Sequence, residues 1–394
     1  MADVVAKTFR RRRVQAEWDH YEATRPAFDR PFEAAIFFAD SEVNLYQVRQ
    51  WYEPMRRLAE QHPVAIIVRN VTTANALRAE CPLPVVHQKI IAETEAWLAT
   101  QRVGAVFYVN QNIVNFRMMR FREPAHIFIS HGESDKDYMA SNQLKAYDYT
   151  FIAGQAAYDR IDSRLVDFDA ERHLVRIGRP QVDVKYQGPD LPDDGRTVVL
   201  YAPTWEGDRP SMTYSSLRSH APEMLATLLA TGEHRVIYRP HPRTGAFEPG
   251  FREDHDRIVE QIHAANAADA TAGHVVDTDS VFGWHLAAAD VCVADISAVA
   301  FDFLATGKPL LLTEPAAPDA EVDENGLASL IRTFKASEAT EVLDVIEDVS
   351  HGEDGARYAK IVEHYFGDTI PGASLERFIE ASGEILTTRT ALRD

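Results

Sequence analysis

The sequence predicts a parallel α/β protein with two domains. Short β-branched runs alternate with helix-length segments along most of the chain, which is typical of a parallel sheet covered by helices on both faces. A stretch rich in Pro, Gly and Asp separates two such series, and 394 residues exceed one ordinary domain. We expect an N-terminal domain at 1–186, a C-terminal domain at 187–370, and a helix at 371–394 that packs back on the N-terminal domain.

In the N-terminal half of the chain, the predicted strands are short apolar runs. Buried strands are predicted at 32–39, 64–68, 85–86, 105–108, 126–129, 149–153 and 174–177. The segment 42–60 is predicted to be a helix that Pro54 kinks or breaks, because proline lacks the N–H that a helix interior needs.

The second series follows the breaker-rich linker at 187–196. Strands are predicted at 197–201, 235–238 and 274–277, then one that ends at Asp295 and one after Pro309. Two parallel α/β domains in tandem predict a cleft between them, and such clefts are common ligand sites.

Composition restricts the class of partner and the compartment. The formal net charge of −19 disfavours nucleic acid binding. The basic cluster Arg10–Arg13 is either a solvated helix start or a contact with an anionic membrane surface. Cys81 and Cys292 are interpreted as buried thiols in a reducing compartment. Without a signal peptide or a membrane span in the sequence, we expect a cytoplasmic protein, at most peripheral to the inner face of the cell membrane.

The segment 291–313 predicts an anion-binding corner. A strand runs into a turn with Asp295 and Ser297, and an apolar helix with Asp302 inside it follows. Helix N-termini at the edge of a parallel sheet favour phosphate, although Ser297 could equally act as a helix N-cap alone. Asp302 could accept a ligand hydroxyl or form an internal salt bridge.

His131 and Lys136 follow another strand end in the first series. An unperturbed imidazole, with a pKa near 6.5, suits a general base at neutral pH. Gly132 would permit close backbone approach, and Lys136 would add positive charge. The alternative is a histidine that only forms a hydrogen bond within its turn.

Two strand ends of the second series carry further candidates. In Arg239-Pro-His-Pro-Arg243, His241 lies between two arginines, a cationic arrangement that suits a phosphate or a leaving group. A proline turn at the surface is the alternative. Thr204 could donate a hydrogen bond to a phosphate, and Trp205 is either a core anchor or a stacking surface.

The sequence does not predict a metal or a cofactor. The pairs Asp167/Asp169 and Asp277/Asp279 could hold a divalent ion, but short acidic pairs are common in so acidic a chain. Walker, Gly-x-Gly-x-x-Gly, Cys/His zinc and Gly-x-Ser-x-Gly motifs are absent, which disfavours ATPases, dehydrogenases, zinc proteins and serine hydrolases.

Five motifs follow one another over about residues 120–315: His131-Gly-x-x-x-Lys136, Gly178-x-Pro180-x-x-Asp183, Tyr201-Ala-Pro-Thr-Trp205, Arg239-Pro-His-Pro242 and Asp295-x-Ser297-x-x-x-Phe301-Asp302. In this order and spacing they resemble the motifs of a known family, the CDP-glycerol glycerophosphotransferases, which include the teichoic-acid primases and polymerases. The resemblance implies a GT-B fold, in which two Rossmann-like domains face a central cleft. It also implies transfer of a polyol phosphate from a CDP-linked donor to an acceptor hydroxyl, with release of CMP and without a metal or cofactor.

The resemblance also assigns roles by position. His131 matches the base that activates the acceptor, and His241 with Arg239 matches the group that binds the pyrophosphate and stabilises departing CMP. Ser297 and Asp302 match the loop and helix that hold donor phosphate and glycerol. The acceptor would be a membrane-linked or soluble polyol-phosphate or glycan chain of a teichoic-acid-like or capsular polymer.

Four positions depart from the family pattern. Ile296 and Ala298 stand where Tyr and a second Ser are common, and Glu206 and Gln181 stand where Arg is usual. The donor therefore stays open between CDP-glycerol and a related compound such as CDP-ribitol. Two other functions also stay open, a GT-B glycosyltransferase that uses a nucleotide sugar and an inactive GT-B-like nucleotide-binding protein.

Overall fold

The computed structural model describes residues 2–135, 137–278, 283–351 and 355–392, with side chains described from residue 12 onward apart from 137–138. The chain forms two compact units. Unit 1 comprises Met1–His131, Ala140–Val184 and Ile370–Asp394, and unit 2 comprises Gly132–Met139 and Lys185–Thr369.

Each unit has a parallel sheet, as the sequence predicts. The strands are β1 Ala34–Phe38, β2 Val64–Val68, β3 Val85–His87, β4 Ala105–Tyr108, β5 Ala125–Phe128, β6 Tyr149–Ile152, β7 Leu174–Arg176, β8 Thr197–Ala202, β9 His234–Tyr238, β10 Val275–Val276, β11 Val291–Ala294, β12 Leu310–Thr313 and β13 Thr333–Phe334. Among the described residues, unit 1 has the order β3-β2-β1-β4-β5-β6-β7 and unit 2 the order β10-β9-β8-β11-β12-β13.

Helices connect these strands. They are α1 Ala2–Thr24, α2 Leu45–Arg49, α3 Tyr52–Ala59, α4 Val71–Glu80, α5 Ile91–Leu98, α6 Asn115–Met118, α7 Gln155–Arg164, α8 Ala170–His173, α9 Ala221–Ala230, α10 Gly250–Ala268, α11 Trp284–Ala288, α12 Ala298–Leu304, α13 Leu327–Leu330, α14 Val342–His351, α15 Gly355–Phe366 and α16 Ala373–Ala391. None of the helices in the described ranges is long and apolar enough to cross a membrane.

The segment 42–60 is interrupted, but the interruption lies before Tyr52 and not, as the sequence predicted, at Pro54. It is interrupted after α2, and α3 starts at Tyr52, so Pro54 lies in the first turn of a helix. A proline there removes an N–H that has no partner within the helix in any case, so it breaks nothing.

The C-terminal helix α16 belongs to unit 1. Its Phe378 is fully buried, with its ring centroid 5.3 Å from that of Trp51 and 6.1 Å from that of Phe107. Burial of a phenylalanine side chain stabilises a fold by about 1.5–3 kcal/mol. This contact therefore anchors the end of the chain on the unit 1 sheet.

The strand orders locate a switch point in each sheet. In unit 1, β1 lies between β2 and β4, so the strand order reverses between β1 and β4. In unit 2, β8 lies between β9 and β11, so the order reverses in the same way between β8 and β11. Ligands of open parallel sheets bind beyond the carboxyl ends of the strands at such points. The residues that follow β1, β4, β8 and β11 are therefore the first candidates for function.

Candidate functional site

A buried aspartate organises the loops at the switch point of unit 2. Asp295 follows β11 and is fully buried. Its Oδ2 accepts the backbone N–H groups of Thr204 (2.7 Å) and Ser216 (3.1 Å), and its Oδ1 accepts the hydroxyl of Thr313 (2.5 Å). Burial raises the pKa of Asp295 to about 6, against the opposing effect of these hydrogen bonds. This geometry fits a scaffold for the predicted donor loop, and direct contact between Asp295 and a donor stays a prediction.

Ser297 occupies the N-cap position of α12 without capping the helix. Its backbone is extended, at φ −154° and ψ 165°, and its side chain makes no capping hydrogen bond. The Oγ atom is buried and has no hydrogen-bond partner in the part of the chain that the structure describes. A buried hydroxyl without a partner costs free energy, so this group is suited to a ligand oxygen.

The segment that starts at Gly132 packs on helices of unit 2. A Cβ atom on Gly132 would lie 2.7 Å from the Cβ of Ala298, the first residue of α12, so a larger residue would force a shift. Three residues on, Asp135 Oδ2 accepts the N–H of Leu327 (2.7 Å) and the hydroxyl of Tyr365 (3.0 Å). The glycine of the His-Gly motif therefore serves close packing against the helix that carries the predicted phosphate corner.

Arg239 is held by a buried carboxylate. It follows β9, and its Nη1 forms an ion pair with Asp277 Oδ2. Asp277 is 5% exposed, and the same oxygen accepts the indole N–H of Trp284 at 3.1 Å. An ion pair of this kind orients the planar guanidinium. The sequence singled out Asp277 as half of a metal pair, whereas the structure makes it the partner of Arg239.

His241, Trp205 and Arg243 form a stack. The rings of Trp205 and His241 lie 6.3 Å apart at 27°, and the Arg243 guanidinium lies 3.9 Å from the Trp205 ring centroid. The backbone N–H of Arg243 donates to His241 Nδ1 at 3.1 Å. Because Nδ1 accepts this hydrogen bond, the proton of a neutral ring lies on Nε2. The stack thus presents a cation beside a neutral imidazole that can donate a hydrogen bond from Nε2.

Glu206 stands where the motif resemblance predicts an arginine, and in the structure it has a structural role. It is 4% exposed, and its carboxylate accepts backbone N–H groups of Gly245 (2.9 Å), Phe247 (2.8 Å) and Glu248 (3.0 Å). Burial raises its pKa, but these hydrogen bonds outweigh burial and the net pKa is lowered. Glu206 therefore fixes the loop that follows the Arg-Pro-His-Pro motif.

In unit 1, His131 follows a turn that two side chains hold. Ser130 has a positive φ of 53°, and its carbonyl accepts the indole N–H of Trp51 at 2.5 Å. The carbonyl of His131 accepts a hydrogen bond from Arg179 Nη2 at 3.1 Å, and the same nitrogen donates to Gln50 Oε1 at 2.8 Å. These bonds stabilise a backbone conformation that serine seldom adopts.

The His131 ring is set in the tautomer opposite to that of His241. Its Nδ1 lies 3.2 Å from the carbonyl oxygen of Val109, which can only accept, so Nδ1 carries the proton of a neutral ring. The Nε2 atom then has the lone pair that a general base requires. The ring also packs edge-on against Tyr46, at 5.9 Å between centroids.

Of the remaining predicted residues, two are buried in unit 2 and two lie outside the part of the chain that the structure describes. Thr204 is 5% exposed and Asp302, inside α12, is 1% exposed. Lys136 and Asp279 lie outside the described residues. No group of three His, Cys, Asp or Glu side chains suited to a metal ion occurs within the described ranges.

Sequence reasoning missed Glu206, Asp277 and Ser216 as supports of the site. Their partners lie 38 to 79 residues away along the chain. Glu206 and Asp277 do stand at or just beyond strand ends, which is the signal that could have found them.

Solved structures with the same architecture define the fold. A variant of the wall teichoic acid polymerase TagF soaked with CDPG is 14% identical, with a TM-score of 0.58 and coverage of 99% of both chains. A putative UDP-N-acetylglucosamine 2-epimerase from Listeria monocytogenes is 11% identical, with a TM-score of 0.55 and coverage of 90% of this chain and 96% of the other. A glycosyltransferase from Rickettsia africae ESF-5 is 12% identical, with a TM-score of 0.52 and coverage of 92% and 99%. The chain has the GT-B fold, as the motif resemblance implied.

The family follows from the sequence match. Residues 52–322, more than half of the chain, match the family model described as CDP-glycerol:poly(glycerophosphate) glycerophosphotransferase. The chain belongs to this family and is a transferase of the glycerophosphotransferase type. No curated protein sequence matches it.

Proposed function

We propose that this enzyme transfers a polyol phosphate, glycerol phosphate in the first instance, from a CDP-linked donor to an acceptor hydroxyl and releases CMP. The observation that carries the proposal is the opposite tautomers of the two motif histidines, one with a lone pair and one with a proton on Nε2. Phosphoryl-type transfer needs such a base and a stabilised leaving group rather than covalent chemistry on the enzyme.

On the acceptor side, His131 Nε2 takes the proton of the attacking hydroxyl. The acceptor oxygen forms a bond to the phosphorus that carries the polyol, and the bond from that phosphorus to the oxygen of the CMP phosphate breaks. The Nδ1–H bond to the Val109 carbonyl supports the imidazolium that results, because a protonated ring donates more strongly.

On the donor side, two cations and a hydrogen-bond donor stabilise the leaving phosphate. Arg239, oriented by Asp277, binds the pyrophosphate, and the Arg243 guanidinium on Trp205 adds a second cation. The Nε2–H group of His241 donates a hydrogen bond to the departing CMP oxygen and stabilises the negative charge that develops there. In this proposal, Thr204, Ser297, Asp302 and Lys136 complete the contacts to donor phosphate and polyol, and no metal is required.

The acceptor in this proposal is a membrane-linked or soluble polymer of the teichoic-acid or capsular kind. The family description names poly(glycerophosphate), which is the basis for a polyol-phosphate chain as acceptor. Contact of the Arg10–Arg13 cluster with an anionic membrane from the cytoplasmic side stays a prediction.

The test is a donor panel with two histidine variants. We expect CMP release from CDP-glycerol in the presence of a glycerol-phosphate oligomer, and a loss of roughly 10²- to 10⁴-fold in turnover for His131→Ala and for His241→Ala. His20→Ala and His263→Ala, at exposed helix positions, are the matched controls and should retain activity. Release of UDP from UDP-sugars without CMP from any CDP-polyol would reject the proposal, as would full turnover by both variants.

A further inference from the structure

Four polar side chains meet at the switch point of unit 1. Asp40 follows β1 and Asn110 follows β4, the two strands between which the sheet order reverses. Asn110 Nδ2 donates to Asp40 Oδ2 (3.2 Å) and to Gln47 Oε1 (2.7 Å), and Asn112 Nδ2 donates to Asp40 Oδ2 (3.3 Å). We call Asp40, Gln47, Asn110 and Asn112 the amide cluster.

The amide cluster adjoins the predicted base through two connections. Val109, whose carbonyl fixes the His131 tautomer, immediately precedes Asn110 in the chain. Tyr46, whose ring packs on the His131 ring, immediately precedes Gln47, and the Gln47 amide donates to its hydroxyl at 3.3 Å. The cluster and His131 therefore lie along the same edge of the unit 1 sheet.

The cluster is rigidly supported. The Asn115 amide donates to the backbone carbonyl of Asn110 at 2.7 Å, and the Asn112 side-chain oxygen accepts the N–H of Val114 at 2.9 Å. The buried hydroxyl of Thr73 donates to the carbonyl of Asp40 at 3.1 Å. A site held in this way can select a ligand by geometry, because little side-chain freedom is lost on binding.

The hydrogen bonds within the amide cluster leave several donor and acceptor positions of its side chains unused. A carboxylate offers about four acceptor positions, and Asp40 uses three, for Ser41, Asn110 and Asn112. An amide nitrogen offers two N–H donors; that of Asn112 uses one, to Asp40, and that of Gln47 uses one, to the Tyr46 hydroxyl. Each of the three amide oxygens also accepts only one N–H group from the described residues and has a second lone pair. Four acceptor positions and two donors, none of them cationic, complement hydroxyl groups, each of which both donates and accepts.

We propose that the amide cluster binds the hydroxylated terminus of the acceptor, a polyol or sugar unit with at least two hydroxyls, and positions one of them for His131. The negative charge of Asp40 disfavours a phosphate at this point and favours hydroxyls. This inference rests on the proposed function and adds the residues that bind and position the acceptor's reacting end. The cluster residues are positioning residues and take no proton.

Binding of a defined acceptor tests the inference separately from catalysis. The probes are a tri(glycerol phosphate) with a free terminal glycerol and the same oligomer with its two terminal hydroxyls replaced by hydrogen. We expect calorimetry on the wild-type chain to give about tenfold tighter binding of the hydroxylated oligomer, the value of one charge-assisted hydrogen bond. Equal binding of the two oligomers, or binding of neither, would overturn the inference.

Variants then test whether the amide cluster causes the preference for the hydroxylated oligomer. Asp40→Asn should reduce the tenfold preference to less than about threefold, because an amide accepts more weakly than a carboxylate. It should raise the acceptor KM while the KM for CDP-glycerol stays constant. Asp29→Asn, at an exposed position of unit 1, is the matched control. If Asp40→Asn unfolds, Asn112→Ala serves in its place. An unchanged preference in a folded variant would refute the proposed role of the amide cluster. If the wild-type protein releases no CMP from CDP-glycerol, the proposed function is refuted instead.

Discussion

Replacement of the buried Asp295 by asparagine should change how the stability of the protein depends on pH. The carboxylate accepts two backbone N–H groups on Oδ2 and the Thr313 hydroxyl on Oδ1. In Asp295→Asn the amide oxygen can keep the first two bonds, and the amide N–H can donate to the Thr313 oxygen. The loop geometry should survive while the buried charge disappears.

The sign and size follow from the pKa of Asp295. Burial raises it to about 6 from an ordinary value of 3.8, so between these pH values the folded protein holds a proton that the unfolded chain has lost. Wild-type stability from this group is therefore greatest below the ordinary value and falls as pH rises toward 6. From pH 4 to pH 7 the loss is about 2 kcal/mol, and the asparagine variant escapes it.

Urea unfolding of both proteins at pH 4 and pH 7 measures this effect. The difference in unfolding free energy, variant minus wild type, should rise by about 2 kcal/mol between the two pH values, because the other titrating groups cancel. A constant difference would refute a raised pKa, and a difference of opposite sign would mean that the ionised carboxylate stabilises the fold. A donor KM within twofold of wild type would support a scaffold role.

Three further perturbations test the supports of the site. Gly132→Ala should lower stability by about 1–3 kcal/mol in thermal unfolding because its Cβ would press on α12, whereas Gly355→Ala, whose Cβ meets nothing within 4 Å, should not. Glu206→Ala should cost about 3 kcal/mol in urea unfolding by leaving three backbone N–H groups without an acceptor, and Glu206→Gln less; equal losses would contradict this account. Asp277→Asn should raise the donor KM about tenfold by releasing Arg239, and an unchanged KM would show that the ion pair does not orient that arginine.

Much of the fold could be predicted from the sequence because the strands are local signals. The run 64–68 has the observed bounds of β2, since a buried parallel strand is a continuous apolar run between breakers. The two-residue strand β13 has no apolar run around it and is not predicted, whereas β10, equally short, lies inside the strand predicted at 274–277. The sequence predicts a helix break at Pro54, whereas the break lies before Tyr52. The chain turns there and buries Trp51, which is 1% exposed, and such a tertiary contact has no local signal in the sequence.

The sequence predicts candidate site residues, and their roles stay predictions; it does not predict the contacts that these residues make. His131, Arg239 and His241 stand at strand ends, where parallel sheets carry function. The partners that give them their chemistry are distant in sequence or are backbone atoms, such as the Val109 carbonyl that sets one tautomer and the Arg243 N–H that sets the other. No composition or spacing rule encodes a contact of that kind.

The central claim is that an acceptor hydroxyl attacks the phosphorus that carries the polyol and displaces CMP. The most direct measurement uses a glycerol-phosphate oligomer with ¹⁸O in its terminal hydroxyls, incubated with CDP-glycerol and the wild-type protein and followed by ³¹P NMR. We expect the isotope-shifted signal in the new phosphodiester and unlabelled CMP in equal amount. Label in CMP, or a product whose new diester lacks the label, would contradict the account.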